Sequence, residues 1–469
     1  CIASVPWALL QLYLVAAYAL ANPADGQMCL LQVQPRRQRV EGMTEVDEHP
    51  TVPACAPLLN QFTHFQVQVS VGTPAQTFEL VADTGSDAVI IPSCTACRDK
   101  DAAGCPEEPK CFTGVNKSST FGLTDPFLVV TETFGSGSID AAIATDVVQV
   151  AGIEASMEVL LMSNRDKLNF AGEFQGIFGM GLPMLDDSLQ LNSSDEASGN
   201  SAALSEERHG VKEVRRDQIF FQEAGIQRFS ICFRDSGKSG ALRLNIPAPL
   251  ETSLAQVGTF HWGLDFRGLS IGKRGTEPSQ ALFCSSSDMQ PGMDSPCAII
   301  PDSGTTLLTG PRRQVLELEA ALCNGWLRCQ QLVSVVLPPD LAGQEVELMA
   351  LDDIIVAAKI FETLLLNCSF WMTEEDGLYE LPSLFFQVMA ADGEESFIEL
   401  SAWAYIISER TSAGESYCMH TFGSMSEDYI TAKNGPVWVL GTPLFYEYTV
   451  AFDLEQRAIS LVTGDCSPC

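Results

Sequence analysis

The sequence predicts an all-β protein built as two β-rich lobes with a cleft between them. Three observations carry this reading. An acidic residue at the end of an apolar run, then a small hydroxyl residue and glycine, occurs twice, as Val81-Ala82-Asp83-Thr84-Gly85-Ser86 and Ile299-Ile300-Pro301-Asp302-Ser303-Gly304-Thr305. The two copies are too far apart for a tandem motif and suit two lobes of ordinary domain size. From Phe62 the chain alternates, with Phe65, Val67, Val69 and Val71 on one face and Gln66, Gln68 and Ser70 on the other. That is the period of a half-buried strand. Many further short runs punctuated by Gly and Pro follow, the signature of an all-β body. With 469 residues, 46% of them hydrophobic, the chain can fill two cores.

Taken in order, residues 2–21 are almost wholly apolar and end Ala19-Leu20-Ala21. We read 1–21 as a signal peptide, incomplete at its N-terminus. A membrane anchor is the competing reading; Pro6, Gln11 and the small-residue ending favour cleavage. No later segment is long and apolar enough to span, so no stable membrane span is expected after cleavage. Residues 22–60 carry Arg36, Arg37, Arg39 and several prolines with little periodicity, as a linker or a pro-segment would. The first lobe is expected over 61–240 and the second over 241–469. Residues 186–209 are rich in Ser, Asp, Glu and Asn and read as a removable surface insertion in the first lobe.

Gln218 to Phe229 is compatible with a short helix, and Phe229 to Phe233 with the strand leaving the first lobe. Gly and Pro between Lys238 and Glu251 mark the crossover. Residues 330–366 are apolar and acidic, match no motif, and read as an insertion. Val450-Ala451-Phe452-Asp453 reads as a last strand before Cys466 and Cys469.

The 16 cysteines suit an oxidising compartment. Cys94, Cys97, Cys105 and Cys111 form a local cluster that could be a zinc site. No histidine lies near it and the cluster's spacing has no second C-x-x-C, so disulfides are the better reading and no metal is expected. Cys284 with Cys297, and Cys323 or Cys329 with Cys368, are candidate pairs. Asn116, Asn192 and Asn367 open glycosylation sequons.

Sixty acidic against 27 basic residues give a net charge of −33. Nucleic-acid binding is excluded, because it needs clustered Lys and Arg. The charge suits work at low pH, where carboxylates are protonated and self-repulsion falls, and it equally suits solubility alone. The five histidines sit in no nucleophile motif, and H-E-x-x-H does not occur. Two carboxylates could also serve a glycosidase, but nothing else in the chain supports one.

The two aspartate motifs, with what surrounds them, resemble the pepsin-like aspartic proteases. Val69-Ser70-Val71-Gly72-Thr73-Pro74 is similar to that family's strand and turn before the first aspartate. Ser118-Ser119-Thr120-Phe121 resembles its S-S-T-[YF] segment, and Phe134-Gly135-Ser136-Gly137-Ser138 falls at its flap hairpin. Gly176 to Gly181 and Trp438 to Thr442 match its two apolar-apolar-Gly segments. The resemblance covers roughly residues 62–463, and the order of the motifs is as specific as the motifs.

The resemblance implies a bilobal pepsin-like fold and an aspartic endopeptidase working at acidic pH on protein or peptide substrates. It implies a monomer without cofactor, in the secretory pathway, either secreted or in an acidic vacuole- or lysosome-like compartment. It makes 22–60 a pro-segment covering an acidic cleft. Asp83 and Asp302 would be the catalytic pair, with Ser86 and Thr305 bracing them and Gly85 and Gly304 turning the loops. Phe134, Gly135 and Ser136 would form the flap, whose backbone holds substrate. Asp87 stands where the family commonly has Ser or Ala, and is either solvated or a third carboxylate raising the pair's proton affinity. The family usually pairs a flap tyrosine with a tryptophan after the first motif; here those positions hold Phe134 and Ile90. There is no tyrosine between Tyr18 and Tyr379, and no tryptophan between Trp7 and Trp262. A flap held by packing is therefore expected, and a pepsin-like protein that binds peptides without cleaving them is the alternative function.

Overall fold

The computed structural model describes residues 53–94, 110–124, 128–165, 167–168, 175–182, 219–234, 238–247, 253–276, 280–337, 349–372, 377–410, 416–425, 428–464 and 466–469. The expected signal peptide, the first part of the expected pro-segment, the insertion 186–209, Asn192, Cys97 and Cys105 lie outside the described residues.

In the first lobe β1 (Ala54–Asn60), β2 (Phe65–Val71) and β3 (Gln76–Asp83) form an antiparallel meander. Next come β4 (Val89–Pro92), the short helix α1 (Gly114–Lys117) and β5 (Gly122–Leu123). The hairpin of β6 (Val129–Phe134) and β7 (Gly137–Val150) follows, and β8 (Ile153–Asn164) runs back along β7. β9 (Ile177–Gly179), α2 (Phe220–Glu223), β10 (Arg228–Cys232) and β11 (Gly240–Leu244) complete it.

The second lobe contains β12 (Ser253–Leu254), β13 (Gln256–Val257), β14 (Gly263–Gly272), β15 (Cys297–Pro301) and β16 (Leu308–Gly310). Three helices follow, α3 (Arg312–Gly325), α4 (Leu327–Val336) and α5 (Leu351–Leu366). Then come β17 (Ser383–Met389), β18 (Glu395–Leu400), α6 (Ala402–Tyr405), β19 (Ile406–Arg410), β20 (Ser416–His420) and β21 (Phe422–Ser424). The chain closes with β22 (Ile430–Thr431), β23 (Gly435–Leu440), α7 (Thr442–Glu447), β24 (Tyr448–Asp453) and β25 (Ala458–Thr463).

The strands form a 14-stranded sheet, a 9-stranded sheet and the two-stranded β19–β20 ribbon. The side-chain period of two divides several strands between two buried faces. Val89 and Ile91 of β4 enter the main core while Ala88 and Ile90 enter a second apolar cluster. Ala142, Ala144 and Val148 of β7 likewise face the main core, and Ile139, Ala141 and Ile143 face the second cluster. Covered on both sides, these runs read as continuously apolar rather than alternating.

Four expectations change. The end of the stretch read as pro-segment is β1, paired with β2 and β11 and tied by Cys55 to Cys469. The crossover contains β11, and the large sheet takes in β12, β24 and β25, so it crosses the expected boundary at 240. Val450–Asp453 is not the last strand, because β25 pairs with it. Residues 330–366 hold the end of α4 and all of α5, packed with α3. Ile354, Ala357, Ala358, Phe361 and Leu365 form the buried stripe of α5 at helical spacing, and Asp352 and Asp353 suit its first turn.

Cys284–Cys297 is bridged as expected. Cys323 pairs with Cys329, and Cys368 with Cys418, because the two former residues meet across the α3–α4 corner. Cys94 joins Cys111, and Cys232 joins Cys466. Asn116 and Asn367 are exposed.

Candidate active site

Both aspartates stand at the end of a strand that has a parallel neighbour. Asp83 ends β3 opposite Gly179 of β9, and Met180 N–H donates to the Asp83 carbonyl at 2.7 Å. Asp302 follows β15, which runs parallel to β23, and its own N–H donates to the Leu440 carbonyl at 2.9 Å. The two apolar-apolar-Gly segments thus flank the two aspartates in equivalent ways. Glycine is required there: a Cβ on Gly179 would come within 2.5 Å of Ala88 N, and one on Gly441 would strike the Thr305 and Leu307 carbonyls.

The carboxylates are held by matching bonds. Asp83 accepts from Gly85 N–H at 2.9 Å and from Ser86 Oγ at 2.5 Å. Asp302 accepts from Gly304 N–H at 2.8 Å and from Thr305 Oγ1 at 2.7 Å. Each glycine also faces the opposite aspartate. A Cβ on Gly85 would lie 2.7 Å from Asp302 Cγ, and one on Gly304 would lie 2.6 Å from Asp83 Cγ. Alanine at either position would push the two carboxylates apart.

Thr84 and Ser303, the middle residues of the triplets, are fully buried and grip each other across the lobes. Thr84 N–H donates to Ser303 Oγ at 3.1 Å, and Ser303 N–H donates to Thr84 Oγ1 at 3.0 Å. Thr84 Oγ1 in turn donates to the Pro301 carbonyl at 2.9 Å, and Ser303 Oγ to the Ala82 carbonyl at 2.8 Å. Sequence reasoning did not assign these two residues. The signal was available, since a small hydroxyl stands between aspartate and glycine in both copies. Trp262 Nε1 to the Met180 carbonyl (3.0 Å) and Thr306 Oγ1 to the Thr63 carbonyl (2.7 Å) add further ties.

Burial pushes the Asp83 carboxyl up to about 8, and the Asp302 charge adds to the rise. The Asp83–Asp302 hydrogen bond acts the same way, while the Ser86 and Gly85 donors pull it down. Burial and Asp302 are the leading causes of the raised proton affinity.

Gly135 and Ser136 form the two-residue turn of the β6–β7 hairpin, with Phe134 opposite Gly137. Gly137 has φ +132°, and a Cβ there would strike the Lys167 carbonyl. Phe134 packs on the second apolar cluster, which also contains Ile90, only 1% exposed, with Val130, Ile139 and Leu160. The two positions where the family places a hydrogen-bonded pair are therefore both apolar and share one cluster. Among the described residues, Glu319, Glu362 and His420 are the one group of three side chains close enough to hold a cation, and they belong to other elements. No described helix is long and apolar enough to cross a membrane.

A family model described as eukaryotic aspartyl protease matches residues 64–198 and 284–463. Pepsin A of Sus scrofa is 23% identical over 412 residues, covering 85% of this chain and 81% of that protein. Gastricsin of Homo sapiens is 25% identical over 404 residues, covering 85% and 80%. Pepsin-3 of Oryctolagus cuniculus is 22% identical over 404 residues, covering 86% and 81%.

Proposed function

The chain belongs to the eukaryotic aspartyl protease family, and on that premise we propose that it is an aspartic endopeptidase whose catalytic pair is Asp83 and Asp302. The observation that carries the reading is the apposition of the two carboxyls, each braced from its own loop and each faced by the other loop's glycine. Two adjacent carboxylates resist double ionisation, so one proton is shared, as is known for aspartic-protease dyads generally. The titration belongs to the pair. The ionised partner takes a proton from the attacking water, and the protonated one donates to the scissile carbonyl. The flap turn at Gly135 and Ser136 supplies backbone groups to hold an extended peptide.

Protein or peptide chains are the substrates on this reading, and the monomer is the acting form. The six disulfides among the described residues support a secretory-pathway or extracellular setting, where an N-terminal signal, a pro-segment and glycans would belong.

The test is incubation of the purified chain with a denatured protein across pH. Cleavage is expected on the acid side and should fade as pH rises through about 8, where the shared proton leaves. Asp83→Asn and Asp302→Asn should each lower kcat by at least roughly 10²–10⁴-fold while the fold persists. Undiminished activity in either variant refutes the pair. A folded wild type that cleaves nothing yet binds peptides would instead support the binding-only reading.

A further inference from the structure

Glu319 of α3, Glu362 of α5 and His420 of β20 meet where the helices pack against the second lobe's strands. His420 Nε2 lies 3.4 Å from Glu319 Oε1 and 3.9 Å from Glu362 Oε1. Glu319 is only 5% exposed. The imidazole stacks on Phe361 of α5 and on Phe422 of β21. These contacts reach the active-site loop. β21 pairs with β16, and Leu308 N–H donates to the Thr421 carbonyl at 2.8 Å, just past the turn that carries Asp302 and Thr305.

Three such donors could in principle take a cation. The far side of the ring argues against it. His420 Nδ1 accepts a hydrogen bond from Phe422 N–H at 3.2 Å, so it presents a lone pair there. In the neutral ring the proton then sits on Nε2, facing the carboxylates, and Nε2 has no lone pair for a metal. Of the two carboxyls facing the ring, Glu319 is the buried one, and that is where a proton added to the group is best held.

We propose that Glu319, Glu362 and His420 form a proton-linked tie, closed while Glu319 is protonated, that clamps the helical layer onto the strands behind the second aspartate loop. With the proton present, one carboxylate faces the Nε2–H and the other carboxyl is neutral. Without it, two carboxylates crowd one N–H donor, with Lys359 the nearby lysine acting on both. The electrostatics agree in direction. Burial pushes Glu319 up to about 7 against the pull of His420 and Lys359, with Glu362 adding to the push. The His420 ring facing it holds Glu362 below the usual carboxylate range. A carboxyl raised in the folded state gives its full stability below its ordinary value, and loses it as pH rises through the raised one. The tie therefore favours an acidic setting, independently of the catalytic pair.

The test uses the full chain carrying Asp83→Asn, which removes the titration of Asp83 and makes the readout independent of any proteolysis. Its Tm should fall as pH rises through about 7. Adding Glu319→Gln, which keeps the shape and an acceptor but cannot ionise, should abolish that fall and leave the variant more stable at the alkaline end. Adding Glu362→Gln instead removes the charge that pushes Glu319 up, so the fall should be smaller and complete at lower pH. A parent Tm that is flat over this range, or a fall unchanged by Glu319→Gln, overturns the proposal. If Glu319→Gln does not fold, a fall unchanged by Glu362→Gln overturns it as well. A Tm gain from added zinc that Glu319→Gln removes would also overturn it, in favour of a metal site.

Discussion

The proton affinity of the Asp83 carboxyl is raised because β3 ends inside the molecule and brings it next to Asp302. The sign of its effect on stability follows. Its ordinary value is 3.8 and its folded value about 8, so the folded state binds more protons between them. Stability should therefore be greatest below about pH 4 as far as this group is concerned, and should decline as pH rises toward 8. Asp83→Asn should make that decline shallower and leave the part due to Glu319, which thermal melts across pH will show; an equally steep decline in the variant would mean Asp83 does not contribute. Thr84 and Ser303 give a second residue-scale prediction. Thr84→Val leaves the Ser303 N–H and the Pro301 carbonyl without their partner in a dry interior. The expected cost is about 1–3 kcal/mol in denaturant unfolding, with kcat lowered as the two loops lose register. A neutral result would show that the cross-lobe bonds are dispensable.

The flap hairpin is the element whose behaviour is most specific to this chain. Losing one partner of a buried polar pair strands the other, whereas replacing both by apolar groups is nearly neutral. Phe134 and Ile90 in one apolar cluster fit the second case. Ile90→Trp alone overpacks a fully buried position, and Phe134→Tyr alone adds a hydroxyl with no partner assigned to it. Each single change should harm or fail to help kcat/KM, and the double change should be clearly better than their sum. Additive values would sink the idea of a coupled pair.

At the scale of the molecule, the chain ends lock the lobes together. Cys55 in β1 is bridged to Cys469, and Cys232 in β10 to Cys466. β10 also pairs with β24, so strands of the first lobe and of the C-terminal part of the sequence share the large sheet. A pro-segment running through residue 60 would have to tear β1 from two neighbours and remain tethered at Cys55. Any maturation cut should therefore fall at or before Ala54. N-terminal sequencing of the mature protein checks this, and a mature terminus beyond Cys55 would contradict it.

Local physics made much of this legible in advance. Period-two alternation placed β2, paired turn chemistry placed both aspartate loops, and the Gly135–Ser136 turn lies where the flap was expected. Each of these signals resides within a few consecutive residues. Helix α5 was equally local, with its buried stripe at helical spacing, but went unread inside an all-β expectation. What only the tertiary structure decided are the meetings of distant surfaces. Thr84 and Ser303 look like ordinary turn residues until two loops approach closely enough to exchange bonds. Spacing along the chain offered Cys323 or Cys329 to Cys368, whereas the helix corner joins the first two to each other and leaves Cys368 to Cys418. The sequence alone determined which residues could form each loop; closure of the two lobes determined that Asp83 meets Asp302 and has its proton affinity raised, because burial and a neighbouring charge act through space rather than along the chain.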